Sequence, residues 1–357
     1  MGFFGLFGNK QKSVLGVDIG SSSLKIVQLK KQAGKAVLET YGELALGPHA
    51  GLSIGQATNL PADKIAEALR DLLREAKATA TACGMGIPFA RSLLTLVDLP
   101  RRPNQNEQKT VIELEARKYI PVPMSEVQLD WFIVPEEAKM AVAKDRVRVL
   151  LVAVHNDELT LLQNVARATK LIPSFFEIEI FSTMRAVVDE PVKPVMILDI
   201  GAASTKLYIV ERNIVALSHT ITTGGQNVTQ AIATGHNLAF TAAEALKKEQ
   251  GLSSAVVTAD VRPALEFTFT RIFSEARRAL LQFETAYKKP ISAIILTGGG
   301  GVTKGLGAFA QSAFAVEVRT ANPFAKTEAP AFIRPVLEEI GPEFAVAVGI
   351  ALRKLEE

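Results

Sequence analysis

The hydrophobic pattern opens each half of the chain in the same way. The runs VLGV (residues 14–17) and PVMIL (residues 194–198) are short and apolar, which is typical of buried strands. A small polar turn follows each run, and the patterns LKIVQL and TKLYIV then predict second strands. After the turns KKQAGK and ERN, the segments AVLETY and IVALSHTI predict third strands. Each half therefore begins with a predicted three-stranded antiparallel meander.

The first turn of each meander carries the same motif, DIGSSSLK at residues 18–25 and DIGAASTK at residues 199–206. Both turns join strand to strand, which excludes a P-loop or a dinucleotide-binding turn, where the turn leads into a helix. Such a turn can still present backbone N–H groups and serine hydroxyls to phosphate oxygens. We expect Gly20 and Gly201 to bring the backbone close to a ligand and to adopt positive φ. One copy would be ordinary turn chemistry, but two matched copies predict a duplicated site.

The acidic and basic residues of the motif suggest what this site binds. Asp18 and Asp199, at strand ends, are predicted to hold a Mg²⁺ ion largely through water, because this ion keeps much of its hydration shell. Ser23 and Lys25 lie two residues apart and so share one face of a strand. Two such hairpins facing each other across a cleft would hold the phosphates of a nucleotide from both sides.

Two further segments fit a nucleotide site. Four consecutive glycines, Gly298 to Gly301, follow a predicted buried strand. They indicate either a flat ligand lying on the backbone or a tight strand-to-helix connection with close packing. In the helical segment 241–251, Glu244 and Lys247 are spaced i, i+3 and share a face. They could reach a ribose and a base, or form a solvated surface pair.

Composition limits the alternatives. A chain of 357 residues should hold more than one core. A net charge of +3 is too small to indicate a nucleic-acid partner. The single cysteine, Cys83, excludes an internal disulfide and a cysteine metal cage, and it fits a reducing cytoplasm. The four histidines lack ligand spacing, so no zinc site is predicted.

The amino-terminal twelve residues, MGFFGLFGNKQK, stand apart from the rest. Their apolar positions precede Lys10 and Lys12, whereas a signal peptide would place charge first and needs a longer apolar core. We favour a tail that packs on the body or is partly disordered. The alternative is a weak contact with a membrane surface. The longest apolar runs elsewhere have the length of buried strands, so no transmembrane helix is predicted.

In this order, the motifs resemble the actin-like ATPase superfamily: two phosphate loops, a glycine-rich adenosine motif, and PEFAVAVGIALR (residues 342–353), which is similar to the second connecting helix. The resemblance covers nearly the whole chain. It implies an α/β, duplicated actin-like (ribonuclease H-like) fold, with two lobes around a nucleotide cleft. The implied cofactors are ATP and Mg²⁺.

Residues 91–134 resemble the PilM family of pilus assembly proteins within that superfamily. The shared features are Leu99-Pro100, the helical segment from Glu115 to Pro121, Glu126, and the strand from Leu129 to Trp131. The block is similar to the subdomain of the cell-division relative FtsA and is expected to form a docking face. The resemblance implies a cytoplasmic ATP-binding adaptor, peripheral at the inner face of the inner membrane.

The implied partner is the N-terminal cytoplasmic segment of a PilN-type inner-membrane protein, within a wider pilus inner-membrane complex. Membrane association through partners, possible self-association and no nucleic-acid binding are also implied. Two other functions stay open, a small-molecule kinase and a filament-forming cytoskeletal ATPase on the same fold. No aspartate base for a kinase can be identified, and the PilM-like block argues against a sugar site.

The resemblance also assigns site residues by their position in each motif. The nucleotide-binding set is Gly20, Ser21, Ser22, Ser23, Lys25, Gly201, Ser204, Lys206, Gly224, Gly225, Glu244, Lys247, Lys248, Gly298, Gly299, Gly300 and Gly301. The Mg²⁺ pair is Asp18 and Asp199. Ala202 and Ala203 stand where relatives carry small polar residues or glycine, so hydroxyl contacts from the second loop are lost. Glu179 resembles the water-orienting acid of actin-like relatives, or is a helix-start charge favoured by the dipole.

The expected organisation follows from the same resemblance. Its parts are an N-terminal tail (1–12), the first lobe core (13–84 and 151–195), an inserted docking subdomain (85–150), the second lobe core (196–223 and 291–345), its outer subdomain (224–290), and a C-terminal helix that packs on the first lobe (346–357).

Overall fold

A computed structural model describes residues 13–135, 145–189, 192–253 and 260–356. The described residues form β-strands, α-helices and short 3-10 turns. The strands are β1 (Ser13–Ile19), β2 (Ser23–Gln32), β3 (Lys35–Ala45), β4 (Ala82–Ile87), β5 (Ser92–Pro100), β6 (Val127–Ile133), β7 (Arg146–His155), β8 (Ile172–Ile178), β9 (Val195–Ile200), β10 (Thr205–Glu211), β11 (Ile214–Ile221), β12 (Ala293–Thr297) and β13 (Glu317–Thr320). The helices are α1 (Ala62–Glu75), α2 (Gln105–Ala116), α3 (Asn156–Thr169), α4 (Glu179–Val187), α5 (Gly225–His236), α6 (Phe240–Gln250), α7 (Arg262–Tyr287), α8 (Leu306–Ala313), α9 (Arg334–Ile340) and α10 (Ala345–Glu356).

The first lobe is built on a mixed sheet in the order β3-β2-β1-β4-β8. The meander β1–β2–β3 is antiparallel, and β4 and β8 run parallel to β1. Helices α1 and α3 pack together, while α4 and α10 pack together against β1 and its neighbours. Gly16 lets α10 lie directly on β1, since a Cβ at this position would be 2.0 Å from the carbonyl oxygen of Ala347.

The second lobe repeats this plan in the order β11-β10-β9-β12-β13. Here β9–β10–β11 form the antiparallel meander, and β12 and β13 run parallel to β9. Both predicted meanders are therefore present. Because parallel strands end at the same edge of a sheet, each lobe gathers the carboxyl ends of its parallel strands, with their loops, on one side. In both lobes this side faces the cleft described below.

The inserted block forms a three-stranded antiparallel sheet, β5-β7-β6, with α2 packed on one face. The side chains of Val97, Leu99 and Ile112 are buried in this small core. The insert also contacts both lobes. Leu96 packs against the cores of both, and Val134 is buried in the core of the second. The insert is therefore wedged between the lobes instead of projecting freely.

Other sequence expectations can be placed on this fold. The predicted domain boundaries stay predictions, and the predicted tail, residues 1–12, lies outside the described residues. Cys83 is buried in β4. A helix with the length and apolarity to cross a bilayer is absent from the described ranges.

Candidate functional site

The repeated motif gives the same hairpin in both lobes. Asp18 of β1 lies directly opposite Lys25 of β2, and Asp199 of β9 lies directly opposite Lys206 of β10. The offset of seven residues between the acid and the base, which is the same in both copies, thus makes them cross-strand partners. Side chains of directly opposed residues project to the same face of a sheet. Each hairpin therefore presents a carboxylate and an ammonium group together, beside its turn.

Each turn is closed by a hydrogen bond of the same kind. The N–H of Gly20 donates to the carbonyl oxygen of Ser23, and the N–H of Gly201 donates to that of Ser204, both at 3.0 Å. A Cβ would lie 2.9 Å from this oxygen at Gly20 and 3.0 Å at Gly201. Neither glycine has positive φ, so that expectation was wrong. Glycine is required because the carbonyl of the serine three residues later leaves no room for a side chain.

Both hairpins open onto one cavity of about 490 Å³ between the lobes. Most of the predicted site residues line it, and they come from six separate segments of the chain. These residues are Asp18, Gly20, Ser21, Ser22, Ser23, Lys25, Glu179, Asp199, Gly201, Lys206, Gly225, Glu244, Lys247, Lys248, Gly298, Gly299 and Gly300. The lining does not include Ser204, Gly224 or Gly301. Their backbones instead contact the turns that do line it: the carbonyl oxygen of Ser204 accepts from the N–H of Gly201, Gly224 packs on Gly201, and the N–H of Gly301 donates to the carbonyl oxygen of Gly298.

A buried ion-pair cluster forms the floor of the cavity. Lys206 Nζ lies 2.8 Å from Glu179 Oε2 and 3.5 Å from Asp199 Oδ2. Burial alone would lower the pKa of Lys206, but Asp199 and Glu179 raise it well above its usual range. Glu179, the first residue of α4, also accepts a hydrogen bond from the backbone N–H of Phe89 at 2.6 Å through its other oxygen. Both carboxylate oxygens of Glu179 are thus engaged.

Asp18 faces this cluster from the first lobe. Its burial raises the pKa of the carboxyl group from 3.8 to about 7, with Glu179 and Asp199 adding to the rise and Lys25 opposing it. Among the described residues, no group of three or more His, Cys, Asp or Glu side chains is close enough to hold a metal ion directly. Two carboxylates from opposite lobes instead suit an ion that keeps most of its water, as Mg²⁺ does.

The first-lobe lysine has a partner that the sequence analysis did not identify. Lys25 Nζ donates to Ser23 Oγ at 2.6 Å and pairs with Glu43 Oε1 at 2.9 Å. Burial would lower the pKa of Lys25, but Glu43, Glu343 and Asp18 raise it. Glu43 lies directly opposite Lys25 in the register of β2 and β3. A register assigned from the predicted meander would therefore have found Glu43, whereas Glu343 comes from the distant segment before α10.

The predicted pair on α6 is a buried cluster, not a solvated surface pair. Glu244 is 6 % exposed, and its Oε2 lies 2.6 Å from Lys247 Nζ and accepts a hydrogen bond from Thr229 Oγ1 at 2.5 Å. Lys247 Nζ also donates to Thr229 Oγ1 at 3.0 Å. Lys248 lies nearer to solvent, 3.8 Å from the other oxygen of Glu244. The cluster fixes two charged groups on the second-lobe wall of the cavity.

The glycine run after β12 is explained mainly by close packing of the backbone. Gly298 has φ +79°, and a Cβ there would lie 2.4 Å from Asp199 Oδ1. A Cβ at Gly300 would lie 2.2 Å from Ile200 Cγ2, and one at Gly301 would lie 2.8 Å from the carbonyl oxygen of Thr297. Only Gly299 of the four has room, with its nearest neighbour at 3.7 Å. The tight-connection alternative therefore accounts for three glycines, and Gly299 is the one with space for a side chain.

Comparison with known proteins shows to which family this chain belongs. Residues 16–355 match the family described as type IV pilus assembly protein PilM. The chain belongs to the PilM family. In the solved PilM-PilN type IV pilus biogenesis complex, a chain with 27 % sequence identity superposes with a TM-score of 0.81, and the match covers 96 % of this chain and 99 % of that chain.

More distant structures share the fold of this PilM-family chain. The ethanolamine utilization protein EutJ from Carboxydothermus hydrogenoformans has a TM-score of 0.56 at 12 % identity, covering 95 % of this chain and 89 % of that chain. MreB5 of Spiroplasma citri, solved bound to AMPPNP, has a TM-score of 0.54 at 12 % identity, covering 96 % and 95 % respectively. These neighbours confirm the predicted actin-like α/β fold.

A segment that the sequence analysis did not single out bridges the two lobes of this PilM-family chain at the cavity mouth. We call residues 51–58 the strap. Its Thr58 N–H donates to the carbonyl oxygen of Ser21 at 2.7 Å in the first lobe. Its Ala57 N–H donates to Gln226 Oε1 at 3.1 Å in the second lobe. Gly55, at φ +90°, packs against Glu244, where a Cβ would lie 2.8 Å from Cδ. The strap therefore covers part of the cavity.

Proposed function

We propose that this chain is a cytoplasmic, ATP- and Mg²⁺-binding adaptor of type IV pilus assembly, peripheral at the inner face of the inner membrane. It binds the N-terminal cytoplasmic segment of a PilN-type inner-membrane protein and through it joins the wider pilus complex. The observation that carries the ATP part is the meeting of two matched hairpins from opposite lobes at one cavity. The partner is inferred from family membership and from the solved complex of the relative.

The cavity has the groups that a nucleoside triphosphate needs. Serine hydroxyls and the backbone of residues 20–23 supply neutral donors on one side, and the backbone of residues 201–202 lies on the other. Lys25 and Lys206 supply positive charge for phosphate oxygens. The second-lobe wall, with Glu244, Lys247 and the open Gly299, would take the ribose and the base. The volume of about 490 Å³ is within the range of ordinary ligand sites.

The charge of the lining requires a cation together with the nucleotide. Seven carboxylates and five lysines line the cavity within the described part of the chain. A triphosphate alone would add negative charge to a site that is already acidic. With Asp18 and Asp199 holding the hydration shell of Mg²⁺, the ion would neutralise this excess and orient the phosphates. We therefore expect binding to depend strictly on Mg²⁺.

The docking face for the partner is assigned to the outer strand of the insert. In β6, Val127 and Leu129 belong to the core under α2, whereas Gln128, Asp130 and Phe132 point to the opposite face. On the neighbouring strand β7, Leu150 and Val154 belong to the same face and pack against the first lobe. Phe132 lies directly opposite Leu150 but is 52 % exposed, so it extends this face at the edge of the sheet. An extended peptide there would gain main-chain hydrogen bonds along the free edge of β6 and a contact with Phe132.

Calorimetric titration with the PilN-type N-terminal peptide, with and without Mg-ATP, tests the adaptor proposal. We expect peptide binding to the parent chain and a loss of at least about tenfold in Phe132→Ser, a typical effect for an anchor residue. Phe267→Ser is the matched control, since Phe267 is 74 % exposed on α7 of the second lobe. If the peptide does not bind under either condition, or if both variants weaken it equally, the assigned docking face is wrong.

ATP binding is tested separately by titrating the nucleotide with Mg²⁺ and with EDTA. Lys25→Ala should abolish binding, whereas Lys31→Ala, an exposed lysine later on the same strand, should not. Binding that is unchanged in Lys25→Ala would refute the proposed site.

The role of Glu179 in hydrolysis stays a prediction. Because both oxygens of Glu179 are already engaged, by Lys206 and by the Phe89 N–H, we expect weak turnover at most. Phosphate release in Glu179→Gln would test this, and a rate equal to that of the parent chain would remove the water-orienting role.

A further inference from the structure

The strap, residues 51–58, is anchored at both ends to the first hairpin turn. Shortly before the strap begins, the N–H of Leu46 donates to the carbonyl oxygen of Ser22 at 2.8 Å. At its end, the N–H and the hydroxyl group of Thr58 both donate to the carbonyl oxygen of Ser21, at 2.7 and 3.1 Å. The segment therefore leaves the hairpin turn and returns to it, as compact surface loops with neighbouring ends do.

Hydrogen bonds within the first lobe hold the strap together. The side-chain oxygen of Gln56 accepts from the N–H of Ser53 at 2.8 Å, and the N–H of Gln56 donates to the carbonyl oxygen of Ser53 at 3.2 Å. The N–H of Leu52 donates to the carbonyl oxygen of Gly47 at 2.8 Å. None of these bonds involves the second lobe. We therefore expect the strap to keep its shape when it separates from that lobe.

The attachment to the second lobe is smaller. Among the described residues, the strap makes a single hydrogen bond to that lobe, from the N–H of Ala57 to Gln226 Oε1 at 3.1 Å. Gly55 adds a packing contact with Glu244. Loss of one such hydrogen bond shifts an equilibrium by about fivefold. The second-lobe end is therefore the end that releases first.

Gln226 also connects the strap to the second hairpin turn. Its backbone N–H donates to the carbonyl oxygen of Ala202 at 3.0 Å, and the N–H of the preceding Gly225 donates to that of Gly201 at 2.9 Å. A continuous path of contacts thus runs from the first turn through the strap and Gln226 to the second turn. Because both turns line the cavity, breaking this path at the strap would open one side of the cavity.

One apolar side chain of the strap lines the cavity. Ile54 is 47 % exposed. The next residue, Gly55, contacts Glu244, which belongs to the wall proposed to take the ribose and the base. A nucleoside bound at this wall would cover Ile54, and removing apolar surface from water is favourable. Since only the closed strap can make this contact, a bound nucleoside would favour the closed state.

We propose that the strap is a lid on the cavity, with Gln226 as its latch and Ile54 as its contact with the bound nucleoside. The inference rests on the proposed nucleotide-binding function. The strap turns about its anchors at Leu46 and Thr58, while residues 54–57 leave the second lobe. Opening admits or releases the nucleotide, so the latch controls the rate of exchange more than the affinity.

Amide hydrogen exchange, followed by NMR without nucleotide, tests the movement itself. In the parent chain, the amide of Ala57 should be at least about tenfold less protected than those of Leu46 and Thr58, because the anchors stay in place. Gln226→Ala should reduce the protection of Ala57 by a further factor of roughly five and leave both anchors unchanged. Equal protection of the three amides would overturn the lid, whether or not the chain binds nucleotide.

Stopped-flow fluorescence with mant-ATP and Mg²⁺ tests the latch. Gln226→Ala should raise the association and dissociation rate constants together, each roughly fivefold, and change Kd by less than about twofold, because a lid acts on entry and exit alike. Ile54→Ala should instead raise the dissociation rate constant alone, by at least about fivefold, since it removes a contact made only with the bound nucleoside.

Gln230→Ala is the matched control for the latch. Gln230 lies one turn further along α5, is exposed, and bonds to Thr234 of the same helix at 3.2 Å. Gln226 is itself partly exposed, so neither substitution removes core packing. Gln230→Ala should match the parent chain in protection and in both rate constants, and a control that behaves like Gln226→Ala would overturn the latch.

The outcomes separate the lid from the function on which it rests. If Gln226→Ala raises only the dissociation rate constant, Gln226 is a ligand contact and the latch is wrong. If both rate constants stay at the parent values, the strap does not control exchange and the lid is wrong. If the parent chain does not bind mant-ATP although residues 54–57 open as expected, the nucleotide function is refuted and the movement of the strap stands.

Discussion

The lysine at the cavity floor gives the sharpest test of the site. Lys206 Nζ is 2.8 Å from Glu179 Oε2 and 3.5 Å from Asp199 Oδ2, and the two carboxylate residues are 7 % and 6 % exposed. Lys206→Met keeps the length of the side chain but leaves two buried carboxylates without their cation. Breaking a buried pair in this way costs about 3–5 kcal/mol. We expect a loss of this size in the free energy of unfolding at pH 8.

The loss should depend on pH. Lys206 is one of the groups that lower the pKa of Asp18, which burial raises to about 7, so removing Lys206 raises this pKa further. A raised carboxyl pKa destabilises the folded state at high pH, whereas at pH 5 the Asp18 carboxyl is neutral in the folded state of both chains. The stability difference between variant and parent should therefore be largest at pH 8 and clearly smaller at pH 5. Urea unfolding at the two pH values measures it, and equal slopes would show that the same transition is compared.

Two further variants complete the experiment. Adding Glu179→Gln to Lys206→Met should recover at least about 1 kcal/mol, since one of the unpaired charges is removed. Lys248→Met is the control, because the side chain of Lys248 is 67 % exposed and lies 3.8 Å from its nearest carboxylate oxygen, so it should change stability by less than about 0.5 kcal/mol. A Lys206→Met chain within about 1 kcal/mol of the parent at pH 8 would refute the electrostatic description of the site.

Three other predictions follow from the same cavity. Gly20→Ala and Gly201→Ala should each lower ATP affinity at least about tenfold, because a Cβ would push the Ser23 or Ser204 carbonyl and reshape the turn; equal affinity by calorimetry would contradict this. Asp18→Asn should stabilise the nucleotide-free chain at pH 8 by at most about 4 kcal/mol, because the pKa of this carboxyl is raised from 3.8 to about 7 in the folded state. The penalty of the native carboxyl develops between these two pH values and is complete at pH 8, so the gain should shrink to a small value near pH 4, and a gain that is independent of pH would exclude this cause. ATP binding should be lost in EDTA and restored by Mg²⁺, and tight binding in EDTA would disprove the need for a cation.

The meanders were predictable from local pattern. Alternating apolar positions and short turns define β1–β2–β3 and β9–β10–β11, and the shared offset of Asp and Lys already implies a hairpin of fixed length. The family resemblance of the motifs then indicated that the two hairpins meet. These features depend on neighbours within a few residues, and such neighbours can be read from one sequence.

The reasons for individual glycines were not predictable in the same way. Gly298 and Gly300 are required by Asp199 and Ile200, which lie about a hundred residues earlier in the chain. Gly20 was assigned positive φ, whereas the nearby serine carbonyl is what excludes a side chain. A single sequence records that a glycine is present but not which distant atom occupies the space.

The strap and Glu343 were missed for a related reason. Residues 51–58 have no periodicity, and their function as a bridge depends on Gln226 and Glu244 of the other lobe. Glu343 precedes α10 and reaches the cavity only because that helix returns across the molecule. Long-range placement of this kind depends on the packed tertiary structure.

The return of α10 to the first lobe has a mechanical consequence. The backbone crosses from one lobe to the other after α4 and crosses back directly after β13. The two connections touch, because Lys326 Nζ donates to the carbonyl oxygens of Arg185 and Val188. A pair of such connections acts as a hinge, which opposes sliding and leaves a scissor-like rotation as the softest motion. A ligand bound between the lobes would therefore act most directly on the angle between them.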